Sequence, residues 1–209
     1  MFQSNNTSRK ISKSLLLTTM MLATDSHAFI VTINSGPRAV YLRVGDGVAT
    51  GTYSGGGTVA SGGAISLVQV SVPAAQVGNG TVQPMSGNGR LTSDWDNYAF
   101  CNAGQVYIGG FYRNTSGTAT APLQVNTVTP LNNGSGNTIP FSQISWTMSG
   151  NGDTSNPIAN GSFNDGTQTL VNISLNQWVE SCFTFNYKNQ TTPPAGTYTG
   201  RVIYTLTAP

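Results

Sequence analysis

Two segments near the C-terminus, Gln177–Tyr187 and Thr197–Thr207, alternate between two kinds of side chain, and this pattern constrains the fold more than any other feature. In the first segment aromatic residues such as Phe183 and Phe185 share one face; in the second, apolar residues share one face and threonines the other. A period of two with β-branched and aromatic residues is typical of β-strands. The intervening Pro193–Gly196 predicts a turn, because proline fixes φ and glycine permits positive φ. We therefore predict that the chain ends in a long β-hairpin with one apolar face.

The first 28 residues have the organisation of a secretory signal peptide. Arg9, Lys10 and Lys13 form a basic start, an apolar run follows at 15–23, and small residues precede a cleavage position after Ala28. The apolar run is far shorter than the roughly 20 residues that span a bilayer. We therefore predict export and removal of this leader.

Charge and histidine content restrict the functions open to the mature chain. Without the leader, six basic residues stand against six acidic ones, so the chain is close to neutral. It has no basic stripe that could neutralise phosphates, and we expect no nucleic-acid partner. The single histidine, His27, leaves with the leader, which removes Ser–His–Asp and Cys–His catalysis and the commonest metal ligand. We therefore predict a protein without enzymatic activity, metal or cofactor.

Two cysteines, Cys101 and Cys182, remain in the mature chain. An even number of cysteines in an exported protein favours a disulfide. This disulfide would close a loop of about eighty residues and contribute roughly 4–5 kcal/mol to the free energy of unfolding through chain entropy. Two free thiols are the alternative, and a zinc site would need further ligands that the chain does not have.

The composition and the recurrence of short apolar runs predict an all-β protein with one domain. Charged residues make up 8% of the chain, while glycine, asparagine, serine and threonine crowd the gaps between runs. Short strands with such turns favour a two-sheet sandwich. The predicted strands are Phe29–Ile33, Ala39–Val44, Val48–Tyr53, Ile65–Val72, Thr81–Met85, Asn97–Cys101, Gln105–Tyr112, Leu123–Val128, Thr138–Met148, Thr167–Ile173, Gln177–Tyr187 and Thr197–Thr207.

The scarcity of charge also bears on the edges of the sheets. Exposed edge strands are usually protected by lysines and other charges. The mature chain has a single lysine, Lys188, which lies between two predicted strands. Long strands rich in threonine and valine that lack this protection should pair with further strands. We therefore regard the chain as a candidate subunit of an exported fibre.

The C-terminal sequence also carries a resemblance to a known family. The segment SCFTFNY, a turn with proline and glycine, and the closing AGTYTGRVIYTLTA resemble the ends of subunits of bacterial chaperone–usher pili, most closely the archaic branch related to spore coat protein U. The resemblance implies an immunoglobulin-like two-sheet sandwich that lacks one strand. A periplasmic chaperone lends that strand, and the N-terminal segment of the next subunit replaces it during assembly at an outer-membrane usher. It also implies a place in a surface fimbria that contributes to adhesion or biofilm formation.

The resemblance divides this chain into the leader at 1–28, a candidate donor segment at 29–47 and a pilin-like sandwich at 48–209. The apolar residues that alternate in FIVTI and AVYLRV would form the donor strand: Phe29, Val31, Ile33, Val40, Leu42 and Val44. Donation of a strand is β-augmentation, in which backbone hydrogen bonds give affinity and alternate side chains fill a groove. The groove would be built from Phe183, Phe185, Val202, Tyr204 and Leu206. In the alternative interpretation both runs are core strands of their own chain.

A second function is also compatible with the sequence, a monomeric secreted sandwich that binds carbohydrate. The aromatic residues that could stack on sugars are Trp95, Trp146, Trp178, Tyr107 and Tyr112, although core positions explain such residues more simply.

Acidic residues are the last candidates for a site. Asp153, Asp165 and Glu180 could supply an acid pair for glycoside hydrolysis, but turn chemistry accounts for the two aspartates. We expect Glu180 to pair with Arg201 across the final hairpin. The loop that contains Asp94 offers oxygen atoms but lacks the ligand spacing of a known calcium site.

Overall fold

The computed structural model describes residues 30–46, 49–52, 56–59, 66–153 and 155–209. The predicted leader and Phe29 lie outside these ranges. Within them the extended elements are β-strands, and the helical elements are two short 3-10 turns, Ala74–Gln76 and Phe141–Gln143. No helix in the described ranges is long and apolar enough to pass through a membrane. The prediction of an all-β protein is confirmed.

The described part of the chain forms sixteen strands, and every pairing between them is antiparallel. Their bounds are β1 (Ile30–Thr32), β2 (Ala39–Val44), β3 (Ala49–Thr52), β4 (Gly56–Val59), β5 (Val68–Gln69), β6 (Gln83–Pro84), β7 (Ser86–Gly87), β8 (Val106–Arg113), β9 (Ala121–Asn126), β10 (Leu131–Asn132), β11 (Thr138–Ile139), β12 (Ile144–Ser149), β13 (Gly161–Ser162), β14 (Thr167–Ile173), β15 (Gln177–Tyr187) and β16 (Ile203–Leu206).

The larger sheet is organised around β15, its longest strand. The order of strands across this sheet is β13-β12-β15-β8-β2, and β1 and β6 pair with the two ends of β15. Residues 178–183 of β15 are buried without interruption, although a strand that is covered on one face would alternate between buried and exposed. The large sheet is therefore covered on both faces where β15 crosses it.

The smaller sheet has the order β14-β9-β16. Its register shifts between Thr169 and Val171 of β14, which marks a local β-bulge. Strand β9 lies in the middle of this sheet and alternates between buried and half-buried residues along its whole length. This alternation means that one face of the small sheet points into the core. Three two-stranded ribbons, β3–β4, β5–β7 and β10–β11, lie outside both sheets.

The main hydrophobic core contains side chains from both sheets. Its buried members are Val106, Ile108, Leu123, Val125, Phe141, Ile144, Trp146, Met148, Ile158, Phe163, Phe183 and Phe185. Within it Trp146 lies edge-to-face against Phe183, with ring centroids 5.9 Å apart. The Trp146 indole nitrogen donates a hydrogen bond to the carbonyl oxygen of Ala159 at 3.0 Å, so its polar atom is satisfied in the core. The two sheets thus pack as the layers of a sandwich.

The other face of the large sheet is covered by the loop of residues 88–104, which we call the outer loop. Phe100 and Cys101 of this loop pack against Tyr107 of β8 and Cys182 of β15 in a second buried cluster. Cys101 and Cys182 form a disulfide, as predicted. This bond fixes the outer loop to the central strand of the sheet.

The predicted C-terminal hairpin is wrong. Its two segments form strands, but β15 lies in the large sheet and β16 pairs with β9 in the small sheet. Apolar residues on both segments do face one core, because the chain crosses from one sheet to the other between 188 and 202. Glu180 accordingly does not pair with Arg201; it binds residues of the outer loop and β8.

Several predicted strands are shorter than expected or missing. Of 65–72 only Val68–Gln69 is a strand, and Ile65 lies outside the described residues. The stretch 97–101 belongs to the outer loop and makes one isolated bridge, between Thr92 and Ala99. The predicted strand 138–148 is divided into β11 and β12 by the 3-10 turn that follows Pro140.

Candidate functional site

One side of the sandwich is open along the free edges of two strands. Strand β2 is the last strand of the large sheet and pairs with β8, and β16 is the last strand of the small sheet and pairs with β9. Among the described residues no strand pairs with the second edge of either one. We call the strip between these two edges the seam.

The apolar side chains along the seam are incompletely covered. Those of β2 and of the C-terminal segment that are only partly buried against the main core are Leu42, Val44, Val202, Tyr204 and Leu206. Val40 lies on the same face of β2 as Leu42 and is 43% exposed. Alternation places these residues on the inward faces of their strands. The core therefore reaches solvent at the seam.

Two fully packed aromatic rings lie beneath the seam. Phe183 and Phe185 of β15 are buried and nearly parallel, with their centroids 5.1 Å apart. The ring of Tyr204 lies 6.1 Å from that of Phe183. The structure thus gathers all five predicted groove residues, two as a floor and three along its side, around one core.

A glycine lets β8 lie close to both strands of the seam. A Cβ atom added to Gly110 would lie 2.6 Å from the carbonyl oxygen of Tyr41 in β2 and 3.6 Å from Cδ2 of Leu206. The first distance is shorter than any ordinary contact, so a larger residue would force β2 away from β8. Gly110 therefore helps to set the width of the seam.

One end of the seam is held by an arginine. The guanidinium of Arg38, which precedes β2, donates hydrogen bonds to the carbonyl oxygens of Ala208, at 3.0 Å, and of Pro209. These bonds join the residue before β2 to the residues after β16. The seam is thus tied at this end by a side chain and not by a strand pairing.

The residues predicted to form the donor strand have two different locations. Val40, Leu42 and Val44 belong to β2, where they face Tyr112, Gly110 and Ile108 of β8. The predicted domain boundary at residue 47 leaves this strand outside the sandwich, whereas in the structure it is an edge of the large sheet.

The earlier part of the predicted donor strand pairs with β15. Val31 lies in β1 opposite Trp178, and the backbone N–H of Ile33 donates to the carbonyl oxygen of Asn176 at 2.9 Å. Phe29 lies outside the described residues. Strand β1 has three residue pairs with its single neighbour β15, whereas β2 has six with its single neighbour β8.

A buried carboxylate lies on the opposite face of the large sheet, under the outer loop. Glu180 accepts hydrogen bonds at Oε2 from Tyr107, at 2.7 Å, and from Ser93, at 2.9 Å. Burial raises the pKa of Glu180, and these two hydrogen bonds oppose the rise. Gly109 makes the arrangement possible, because a Cβ atom there would lie 2.2 Å from the Tyr107 hydroxyl oxygen. The glycine at position 109 is thus the residue in the sequence that leaves room for the Tyr107 side chain to reach Glu180.

A second carboxylate connects the outer loop to β2. Asp94 pairs with Arg43 of β2 at 2.6 Å and with Arg90 at 2.8 Å. The Tyr41 hydroxyl donates to the same carboxylate at 2.7 Å. Both arginines are thus engaged by one carboxylate, which ties the outer loop to β2.

A cavity of about 80 Å³ opens beside Glu180. Its acidic lining consists of Asp96, Asp153 and Glu180, and its aromatic lining of Trp95, Tyr98 and Phe100. Val31 of β1 is the remaining described residue of the lining. The structure therefore brings together two of the three acidic residues that the sequence suggested as a pair, Asp153 and Glu180.

The third acidic residue lies elsewhere. Asp165 accepts a hydrogen bond from the backbone N–H of Ser142 at 2.8 Å and has a positive φ of 61°, so it serves a turn. Of the aromatic residues considered for sugar stacking, Trp95 is exposed, whereas Trp146, Trp178, Tyr107 and Tyr112 are buried. The described residues contain no group of three or more histidine, cysteine or acidic side chains that could hold a metal ion.

Comparison with protein-family models, with curated proteins and with solved structures finds no significant match for this chain.

Proposed function

We propose that the chain is a non-enzymatic structural subunit of an exported surface fibre, a fimbria, in which subunits join by adding a β-strand at the seam. In this proposal the sandwich is immunoglobulin-like and one strand short. A neighbouring copy or a related subunit supplies the strand, after a periplasmic chaperone has filled the seam and an outer-membrane usher has exchanged the two. The fibre would contribute to adhesion or biofilm formation.

The observation that carries the proposal is the seam itself. Two edge strands of different sheets lie side by side, their inward side chains are partly exposed, and neither has a second strand partner among the described residues. Such edges in other proteins are shielded by charges, bulges or short strands. Here Arg43 of β2 is engaged with Asp94, and β16, with sequence IYTL, carries no charge at all.

The energy available from an added strand can be approximated from the seam side chains. Full burial of one apolar side chain contributes about 1.5–3 kcal/mol. Because the five side chains are already partly buried, about 1 kcal/mol remains for each. Completion of the seam would thus yield roughly 5 kcal/mol from apolar burial, and backbone hydrogen bonds along the new strand would add to this. Because association itself costs at least about 4 kcal/mol, the backbone hydrogen bonds of the added strand must supply much of the stability of the joint.

The proposed donor is the segment Phe29–Ile33 of a neighbouring copy. We do not assign this role to β2, because withdrawal of β2 would break six residue pairs with β8 and remove one side of the seam. Strand β1 makes only three such pairs, with β15. It can leave its own sheet at a smaller cost in free energy.

The experiment is to separate periplasmic extracts by electrophoresis without boiling. The exported chain should give a ladder of multimers that collapses to one band on boiling. Deletion of 29–33 should leave monomers, and so should L206E, which places a charge in the seam. The matched control is T205E, because Thr205 is adjacent to Leu206 but on the exposed face of β16. The proposal fails if the exported chain gives a single band or if L206E and T205E behave alike.

A second candidate function is carbohydrate binding by a monomer. It is favoured by one observation, the exposure of Trp95, at 45%, and of Tyr98, at 39%, at the mouth of the acidic cavity. Exposed aromatic rings beside acidic acceptors are suited to sugar rings and hydroxyl groups. A glycan array probed with the exported chain and with W95A tests this function, which requires binding that the substitution abolishes.

A further inference from the structure

The cavity under the outer loop has an acidic lining. Three of its lining residues carry carboxylates, Asp96, Asp153 and Glu180, and none of its described lining residues is basic. Both carboxylate oxygens of Asp153 are buried and have no hydrogen-bond partner among the described residues. Burial, and then the nearby charges of Glu180 and Asp96, raise the pKa of Asp153 to about 7. A cation in this cavity would relieve both costs.

The N-terminal strand leads into this cavity. Val31 of β1 is part of the lining, and Ile30 lies opposite Val179 in the antiparallel register with β15. Because the two strands are antiparallel, moving toward the start of β1 means moving forward along β15. The residue of β15 that follows Val179 in this direction is Glu180. Residue 29 comes two positions before Val31, whose side chain lines the cavity. Consecutive Cα atoms are about 3.8 Å apart, so an amino group on residue 29 is within about 8 Å of Val31 along the chain.

Removal of the leader creates such an amino group. A free α-ammonium carries one positive charge and three donors on a very small group. A cavity of about 80 Å³ accommodates it with a few water molecules, whereas a sugar ring with its hydroxyl groups would fill or exceed this space. Aromatic rings such as those of Trp95 and Phe100 also favour a cation through their faces.

We propose that the cavity lined by Asp153, Glu180 and Asp96 is a receptor for the chain's own α-ammonium group, released when the leader is cut after Ala28. The occupant is the first amino group of the mature chain, and its charge is neutralised by Asp153 and Glu180. The inference rests on the leader that the proposed function requires. It specifies what holds the short strand β1 to β15 before that strand is exchanged.

This docking gives the proposed subunit a resting state. While the ammonium is bound, β1 stays in its own sheet and the segment 29–33 is unavailable to a neighbour. Donation of that segment would take the ammonium out of the cavity and leave three carboxylates there without a cation. The bound N-terminus is therefore a property of the monomer, and it should be lost in the fibre.

The pKa of the α-amino group tests the inference directly. The monomer fraction of the exported chain is labelled uniformly with ¹³C, which leaves the three donors of the amino group in place, and the ¹³C signals of the carbons that carry amines are titrated by NMR. Beyond the leader the chain has a single lysine, Lys188, so two amine signals are expected and that of Lys188 is the internal reference. We expect the α-amino pKa to lie at least about one unit above its ordinary value of about 7.7–8.0.

Two variants and one control locate the cause. D153N should return the α-amino pKa to its ordinary range. Insertion of Gly-Ser between Ala28 and Phe29 should do the same, because it moves the amino group about 7 Å along the chain. D165N is the matched control, since its side-chain oxygen can still accept the hydrogen bond from Ser142, and it should leave the pKa raised. The insertion keeps the test valid if D153N does not fold.

Other results would overturn the inference. An ordinary α-amino pKa in the exported chain, or the same raised value in the insertion variant, would do so. Mass spectrometry that finds a first residue other than Phe29 would also overturn the inference. The electrophoresis of multimers would remain an independent test of the fibre. Methylammonium chloride distinguishes the chain's own amino group from a free amine as the occupant. It should shift the Trp95 indole signal only in the insertion variant, where the cavity has lost the chain's amino group. A shift in the exported chain would mean that the site takes free amines, and it would contradict the inference.

Discussion

Reduction of the disulfide between Cys101 and Cys182 should strongly destabilise the monomer. The two cysteines are separated by 81 residues, and for a loop of that length the chain-entropy relation gives about 4.5 kcal/mol of stabilisation at 25 °C. Both cysteines are buried between the outer loop and β15. We therefore expect reduction to free the outer loop as well as to increase the entropy of the unfolded chain.

The assay is urea unfolding of the monomer with and without dithiothreitol. With a slope of about 2 kcal/mol per molar urea, a loss of about 4.5 kcal/mol lowers the midpoint by about 2 M. The double variant C101A/C182A serves as the control, because its midpoint should lie near that of the reduced chain and should not respond to dithiothreitol. The reasoning is refuted if oxidised and reduced chains unfold within about 0.5 M of each other.

Three further predictions concern the seam, the buried carboxylate and the acidic cavity. G110A should lower the free energy of unfolding by about 1–3 kcal/mol, because its methyl group collides with the backbone of β2. E180A should cost about 2–4 kcal/mol, since the hydroxyl of Tyr107 loses a buried acceptor. In the Gly-Ser insertion variant, the contribution of Asp153 to the free energy of unfolding should be greatest below about pH 4 and fall as the pH rises toward 7, because the folded pKa of Asp153, about 7, lies above its unfolded value.

Each of these predictions has a control and a contrary outcome, all measured by urea unfolding. G166A is the partner of G110A, because a Cβ atom at 166 meets only an ordinary contact at 3.5 Å; equal effects of the two would contradict the account of the seam. For the carboxylate, E180Q keeps an acceptor for Tyr107, and it should cost less than E180A. For the cavity, D153N should reduce the fall in stability with pH, and an unchanged slope would remove Asp153 as its cause.

The sequence predicted well the elements whose pattern is local. The predicted strands Ala39–Val44, Thr167–Ile173 and Gln177–Tyr187 coincide with β2, β14 and β15. In each of them the period of two, or a continuous apolar run, comes from side chains that the sheet itself orients. The disulfide could also be expected, because only one pairing of two cysteines exists.

Strand partners could not be predicted in the same way. Period two shows which residues share a face, but it does not show which neighbour pairs with a strand. The final hairpin was therefore wrong, although Phe183 and Tyr204 do lie beside each other across the core. The five residues predicted to form a groove do gather around one core, because that grouping depended only on faces. Leu42 and Val44, predicted as part of the donor strand, lie in β2 and pack against the same core.

The acidic cavity as a whole could not be found from the sequence, although Asp153 and Glu180 were among the acidic residues named there as candidates for a pair. Its lining comes from β1, the outer loop, the loop at 153 and β15, and these stretches are brought together only by the fold. Asp153 has the glycine and asparagine neighbours of an ordinary turn, so nothing local marks it as buried. Glu180 was the clearer signal, as the one charged residue within β15.

Hydrogen exchange along the seam tests the central claim most directly. Backbone amides of β2 and β16 are compared in the isolated monomer and in the multimers that survive without boiling. In each strand the amides alternate in direction, so about half of them point away from β8 or β9. We predict that these outward amides of 39–44 and 203–206 exchange rapidly in the monomer and become protected in the multimers. Protection that is already complete in the monomer, or that does not change on assembly, would contradict the claim that a strand from another molecule completes this sandwich.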